Sequence, residues 1–350
     1  MLSPRLEKIR RLLTERKEPD YRYRQICAAL FGKYVRSYRE ITELPLNLRE
    51  ALSATLGDEA LTLRPVEMQE SPEATKLLFG LADDERVEAV LLRGRQDDTT
   101  LCISSQVGCV CGCDFCATGA IGFKRNLNAD EIADQALYFL QQGRRLQGVS
   151  LMGMGEPLLN PAGFDALQML ADKKLFGMSQ RSLNVSTVGV TPGIARLTAE
   201  LPQVNLAFSL HTPFPPERDR LVPLNRKYPL GEVMAALDRH IAATHRKVFI
   251  VYALFDGVND TPGHAQALAA LLRGRGEFFY LYHVNLMRYN PNTGGGGKYR
   301  TSEANLSAFR GLLEAAGVKV TVRHSPGAEI AAACGQLYAR YPQTLSPPFD

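Results

Sequence analysis

The chain has 350 residues, 45% of them hydrophobic, and a formal net charge of +4, so it is long enough to bury a full core with a smaller unit beside it. No uninterrupted apolar run approaches membrane-spanning length, and no signal peptide opens the chain, which leads to the expectation of a cytoplasmic protein with reduced thiols. Seven cysteines, an odd count clustered in one stretch, argue against a disulfide scaffold.

Residues 1–50 carry 12 Lys and Arg against 7 Asp and Glu, so the basic surplus is entirely N-terminal. Such a bias suits an acidic partner such as nucleic acid, although a solvated helix face produces the same bias without one. Apolar positions at helical spacing run from Pro4 to Arg16 and from Tyr21 to Phe31, broken by Glu18-Pro-Asp20, with a third short helix at Leu46–Leu56. This gives a helical accessory domain, 1–58, assigned to RNA. Leu61-Thr-Leu-Arg-Pro, Lys76-Leu-Leu-Phe-Gly and Val87–Leu92 read as extended and define an antiparallel β extension, 59–98.

From Leu101 onward strands alternate with helices. The strands fall at Leu101–Ser104, Gly148–Met152, Leu183–Ser186, Asn205–Ser209, Val248–Leu254, Leu281–Leu286 and Val318–Val322. The amphipathic stretches between them are Asn128–Gln142, Gly163–Leu170, Gly193–Leu201, Gly231–Ala243, His264–Arg273 and Glu303–Ala316, the first opened by an Asn128/Glu131 capping box. Repeated βα units with near-continuous apolar strands predict an α/β fold with a parallel sheet, an open or partial barrel of about six units over 99–340, followed by a tail, 341–350. The glycine run Gly294–Gly297 reads as a mobile loop.

The chemistry is concentrated in Cys109-Val-Cys-Gly-Cys113-Asp-Phe-Cys116. Thiolates at Cys109, Cys113 and Cys116 can surround one iron–sulfur cube and leave one iron without a protein ligand, the position that S-adenosylmethionine (SAM) chelates in radical SAM enzymes. Zinc competes, with Cys111 as a fourth thiolate. Four thiolates so close in sequence crowd a tetrahedron, and structural zinc usually draws ligand pairs from two separated loops, which favours iron–sulfur.

A parallel sheet places its chemistry at the carboxyl ends of its strands. Gly153-Met-Gly-Glu156 follows the second strand, Ser186-Thr187 ends the third, Ser209-Leu-His211 ends the fourth, and Asn290-Pro291 follows the sixth. Singly, a glycine pair is more often a turn and a lone histidine more often satisfies a local hydrogen bond. Together they outline a site for a small polar cofactor beside the cysteine loop, in which Glu156 meets an ammonium group. Cys102 lies just upstream of the cluster motif and Cys334 near the C-terminus. Either reads as a small core residue, but Gly335 permits a turn that presents the Cys334 thiol, which would put a nucleophile and a resolving thiol at one site. Cys27, on an apolar helix face, reads as core.

Cys109-x3-Cys113-x2-Cys116, Cys102 seven residues earlier, Gly153-Met-Gly-Glu-Pro157, Ser209-Leu-His211 and Ala332-Ala-Cys-Gly-Gln-Leu337 resemble the RlmN/Cfr family, the radical SAM adenosine methyltransferases of 23S ribosomal RNA. The resemblance covers nearly the whole chain. Glu18-Pro-Asp-Tyr-Arg22, Cys116-Ala-Thr-Gly119, Leu281–Leu286 with Arg288-Tyr-Asn-Pro291, and Cys334-Gly-Gln-Leu-Tyr338 lean toward the C8-methylating, antibiotic-resistance branch. Val107 and Pro157 look more like the C2-methylating branch, Glu329 stands where the family commonly has aspartate, and Cys111 is an addition.

The resemblance implies a partial (β/α)6 radical SAM barrel with a small N-terminal helical domain and a β extension. It implies a 4Fe-4S cluster on Cys109, Cys113 and Cys116, two SAM molecules per turnover, and cofactor contacts at Gly155, Glu156, Ser186, Ser209, Leu210, His211 and Asn290. Cys334 would be methylated by one SAM, a radical from the second would activate that methyl group, and the carbon would add to C8 of adenosine 2503 in 23S rRNA. Cys102 would then release the product by forming a transient disulfide with Cys334. Glu88 matches the family's proton acceptor, although by strand pattern alone it reads as a solvated residue. The implied partners are 23S rRNA and an electron donor such as flavodoxin, with no membrane and a monomeric chain. The alternatives are a C2 methyltransferase of the same adenosine, with transfer RNA as a further candidate substrate, a radical SAM enzyme of a small molecule, and a zinc-stabilised RNA-binding protein.

Overall fold

A computed structural model of the chain describes residues 3–94, 99–291 and 298–338. The glycine run and the C-terminal tail singled out above therefore lie outside the described residues. Three helices come first: α1 (Pro4–Glu15), α2 (Tyr21–Phe31) and α3 (Leu46–Leu56). Ser3 caps α1 by accepting from Leu6 N–H, and Pro4 sits in the first turn, where its missing donor costs nothing. Their apolar faces, with Leu6, Ile9, Ile26, Leu30 and Leu48 fully buried, join the main core.

Three antiparallel strands follow, β1 (Arg64–Glu70), β2 (Ala74–Gly80) and β3 (Arg86–Arg93), and β3 pairs antiparallel with β4 (Thr99–Ile103). The chain then forms a small ribbon, β5 (Gln106–Gly108) with β6 (Phe123–Asn126), around the short helix α4 (Ala117–Ile121). Thereafter come α5 (Ala129–Gln141), β7 (Gly148–Leu151), α6 (Pro161–Ala171), β8 (Leu183–Thr187), α7 (Thr191–Glu200), β9 (Asn205–Ser209), α8 (Pro215–Leu221), α9 (Leu230–Thr244), β10 (Val248–Leu254), α10 (Pro262–Arg273), β11 (Tyr282–Arg288), α11 (Glu303–Ala315) and β12 (Lys319–Val322).

One ten-stranded sheet runs β1-β2-β3-β4-β7-β8-β9-β10-β11-β12. From β4 to β12 every neighbour is parallel, so the barrel wall has seven strands among the described residues, and β1–β3 extend it antiparallel from β4. Sequence order follows spatial order through helical crossovers, which carries each strand's carboxyl end to the same rim. The Asn128/Glu131 capping box at the start of α5 is present in both directions. Cys27 lies in the core, as expected.

A buried ion pair fixes the N-terminal helices to the barrel. Arg5 donates from its main-chain N–H to Asp130 (2.8 Å) and from Nη2 to Asp134 (2.7 Å), both on α5, and the other Asp134 oxygen accepts from Thr62 N–H and Oγ1, each at 2.8 Å. Each charge is thereby paired and hydrogen-bonded, the condition under which burial is tolerated.

Candidate active site

The rim of the parallel strands opens into one cleft of about 1050 Å³, whose walls include Cys109, Cys111, Cys113, Cys116, Gly153, Gly155, Glu156, Ser186, Ser209, His211, Asn290 and Cys334. Residues spread over more than two hundred positions in sequence are thus brought together. Leu210 is different: it is fully buried and its N–H donates to Val251 O (3.0 Å), so it braces the strand end and presents no side chain to the cleft.

The cysteine loop leaves β5 and returns through α4. Burial pushes the Cys113 and Cys116 thiols up, and each is raised further by neighbouring sulfur charge. Cys109 is drawn down because buried Cys111 donates its S–H to the Cys109 sulfur. Cys111 thus stands beside Cys109 in the cleft wall and favours its ionised form. Three cysteines on one cleft wall, too costly to hold as free thiolates together, are a donor set that a positively charged iron–sulfur core satisfies.

The loop after β7 is shaped for close approach. Gly155 has φ +101°, and a Cβ there would lie 2.6 Å from Gln106 Cβ, so only glycine fits. Gln106 accepts from Glu156 N–H (2.9 Å) and donates to Asn126 (2.8 Å), tying this loop to the ribbon. The Glu156 carboxylate accepts from Leu158 N–H (3.1 Å) and Val188 N–H (2.8 Å); burial outweighs these bonds and holds its pKa up at about 7. Glu156 therefore clamps the β8 exit in addition to any ammonium contact.

Ser186 and Ser209 end adjacent strands with their hydroxyls 3.3 Å apart, a polar pair at the cleft wall. His211 stands at φ +61°, held by Asn259, which donates to His211 O (2.6 Å). Its Nδ1 accepts from Ala253 N–H (3.0 Å), so the imidazole is neutral with its proton on Nε2, and burial lowers its pKa to about 3. The expectation that a lone histidine satisfies a local bond and the expectation that it lines a site are met by the same residue.

Sequence reasoning missed Arg218, on α8. It is fully buried, donates from Nη2 to Val188 O (2.6 Å) and Ser209 O (3.1 Å), and packs over the Phe208 ring at 4.9 Å. Its positive charge is felt at Cys113. A single arginine in a short polar helix carries no signal of this in sequence.

Cys334 sits on a segment that follows β12 without entering a regular strand or α-helix. Gly335 at φ +83° makes the turn, and the thiol is exposed, as the sequence suggested. Ala117 N–H donates to Gly335 O (2.9 Å), Thr118 Oγ1 to Leu337 O (2.8 Å), Asn290 Nδ2 to Cys334 O (3.2 Å) and Gln336 Nε2 to Pro291 O (2.7 Å). The segment is thus tied to the cluster loop and to the β11 exit. Cys102, on β4 in register with Ser150, is half-buried; burial and the nearby Cys334 sulfur push its pKa to about 12.

Glu88 corrects the solvated reading. It lies on β3 with only 5% of its surface exposed. Its Oε2 accepts from Tyr338 N–H (2.8 Å), its Oε1 lies 3.3 Å from Lys76 Nζ, and burial is the main force raising its pKa. The covering residue is 250 positions away in sequence, which is why strand alternation could not reveal it.

The Radical SAM superfamily model matches residues 103–266. The chain is 48% identical over 332 residues to the ribosomal RNA large subunit methyltransferase Cfr of Lachnoclostridium phytofermentans, covering 95% of this chain and 96% of that protein. It is 47% identical to the protein of the same name from Shouchella clausii, covering 97% of each. Among solved structures, a radical SAM methyltransferase from Sphaerobacter thermophilus superposes with a TM-score of 0.89 at 39% identity, covering 97% of this chain and all of that one.

Proposed function

This chain belongs to the Cfr family of radical SAM methyltransferases of large-subunit ribosomal RNA, and we propose that it methylates C8 of adenosine 2503 in 23S rRNA by way of a methyl group carried on Cys334. As a family member it is an rRNA methyltransferase that uses a 4Fe-4S cluster and SAM. The observation that carries the Cys334 route is its position, an exposed thiol on a glycine turn lining the same cleft as Cys109, Cys113 and Cys116; the choice of C8 rests on motifs such as Glu18-Pro-Asp-Tyr-Arg22 and Cys116-Ala-Thr-Gly119.

In this reading Cys109, Cys113 and Cys116 hold the cluster, and Gly155, Glu156, Ser186, Ser209, His211 and Asn290 hold SAM, with Leu210 bracing the wall. When bound, the cluster and SAM supply the methyl group and the radical that activates it. The protein's residues do the rest. Cys334 bears the carbon, because C8 of adenine is a poor nucleophile for direct transfer. Glu88 accepts the proton lost from the ring, and its burial raises its basicity toward that task. Cys102 attacks the Cys334 sulfur of the RNA adduct: the S–S bond forms as the S–C bond breaks, and the departing carbon takes a proton and stays on the adenine as its new methyl group, leaving a disulfide. The buried adenosine must be unstacked to reach the thiol. A flavodoxin-type electron donor, a monomeric chain and a cytoplasmic setting complete the proposal; among the described residues no helix is long and apolar enough to cross a membrane.

The basic helices α1–α3 are proposed to clamp the surrounding RNA. Deleting them would strip Asp130 and Asp134 of Arg5 and confound the result. Reversing the exposed charges Arg16, Lys17 and Arg24 to glutamate leaves that pair intact, and is expected to weaken RNA binding and flatten its salt dependence.

The reaction is tested by incubating reconstituted enzyme with SAM, reductant and an unmodified large-subunit RNA fragment, followed by mass spectrometry of the nucleosides. 8-Methyladenosine is expected. 2-Methyladenosine would assign the chain to C2 chemistry, and neither product from cluster-loaded protein would contradict the proposed substrate.

A further inference from the structure

Lys76, which sequence reading passed over as a strand residue, is 9% exposed and points its ammonium at two acceptors. One is the Glu88 carboxylate at 3.3 Å and the other is Ala331 O at 3.3 Å. Glu88 in turn accepts from Tyr338 N–H at 2.8 Å. Ala331 and Tyr338 bracket Cys334, so both flanks of the thiol-bearing segment are attached to the β extension through one carboxylate and its cation.

These groups border a second cavity of about 850 Å³ between the β1–β3 face and the Cys334 segment. The charged groups facing Glu88 there are Lys76 from β2, Glu67 from β1 and Glu329 from the turn after β12. Among the described residues Lys76 is the one cation in that group. Removing the negative charge of Glu88 therefore takes away the partner that orients Lys76, and converts the charge-assisted bond from Tyr338 N–H into a weaker neutral one.

We propose that Lys76 and Glu88 form a latch that holds the Cys334 segment while Glu88 is ionised and lets its flanks go when Glu88 takes up a proton. The proposal rests on the reading of Glu88 as the proton acceptor. The C–H proton of the adenine carbon passes to the Glu88 carboxylate, giving a neutral acid, and its bonding pair stays with the ring. Release then follows proton transfer in time. The contacts of Ala117, Thr118 and Gln336 persist, so the segment stays docked near Cys102 while its flanks at Ala331 and Tyr338 loosen, which gives the Cys334 side chain room to turn its sulfur onto the Cys102 thiol. Lys76 is a positioning residue: it acts through Glu88 and Ala331 and touches no reacting atom.

The test is amide hydrogen exchange of the reconstituted enzyme without RNA, comparing residues 331–338 with β10 as the internal reference. E88Q, a neutral stand-in for the protonated acid, and K76M are each expected to speed exchange of 331–338 at least fivefold while β10 is unchanged, and K76R is expected to restore protection. In the unmutated enzyme, protection of 331–338 relative to β10 should fall as pH is lowered through the Glu88 titration, and this pH dependence should vanish in E88Q. Unchanged exchange in E88Q and K76M would overturn the latch. If either substitution loosens β10 as well, the unmutated enzyme decides, since pH-independent protection of 331–338 would also overturn it. Because no RNA is present, failure here is distinct from failure of the Glu88 base assignment, which appears as unimpaired methylation by E88Q.

Discussion

The cleft walls and the Cys334 segment meet at one rim but are held there by different forces. The walls are strand ends whose supporting residues, such as Leu151, Val185, Phe208 and Leu254, are at or below 1% exposure. The Cys334 segment has only a short 3-10 turn at Ala328–Ile330; Ala332 and Leu337 anchor it in the core, and the rest of its place is set by directional bonds with Ala117, Thr118, Asn290, Pro291, Lys76 and Glu88. Close packing gives walls that cannot shift without cost across the sheet. Two small apolar anchors and a handful of polar bonds give a carrier that is positioned yet able to move, as a residue that must serve the cofactor, the RNA and Cys102 in turn has to be.

The sharpest contrast is expected from single substitutions on either side. Cys334→Ala should abolish RNA methylation while changing stability by no more than about 0.5 kcal/mol, as befits an exposed side chain; methyl incorporation and thermal unfolding measured on one preparation would show both. Gly155→Ala, on the wall, should cost stability as well as activity. Its positive φ and the contact with Gln106 imply a loss of about 3 kcal/mol, with reduced iron loading, read by urea unfolding and iron analysis.

The helical layer behind the walls gives a pH test well away from the thiols. His240 on α9 is buried, Nδ1 pairs with Thr198 Oγ1 at 2.8 Å, and burial lowers its pKa to about 4. The unfolded chain takes up this proton at higher pH than the folded one, so the contribution is full above about pH 6.5 and is lost as pH falls toward 4. The expected loss over that window is about 3 kcal/mol, and His240→Gln should flatten that part of the stability curve in denaturant titrations at several pH values. The smallest effect concerns the carrier: Gln336→Ala leaves Pro291 O and Ala333 N–H without their partner, which costs about 1–2 kcal/mol. It should slow methylation several-fold without reducing iron content, whereas an equal loss of iron would mean that the segment is part of the wall.

The same division explains what the sequence revealed. The wall is made of local patterns: continuous apolar strands, a capping box at Asn128, and glycine and cysteine spacings at strand ends, all readable within short windows. Gly335 also announced its turn. What escaped notice depends on long-range closure. Glu88 alternates like a solvated strand residue until Tyr338 covers it, Lys76 has its meaning only through Ala331, and Arg218 lies in a seven-residue helix with no periodicity to assign its buried face. The β5–β6 ribbon around the cluster loop was missed because strands of three and four residues carry too little pattern to stand out.

The central claim is that Cys334 carries the methyl group to the RNA. Cluster-loaded enzyme incubated with SAM and reductant in the absence of RNA, then digested and examined by peptide mass spectrometry, tests it most directly. The expected result is one added methyl group on the peptide containing Cys334 and none on that containing Cys102. An unmodified Cys334 in protein that goes on to methylate RNA would contradict the account.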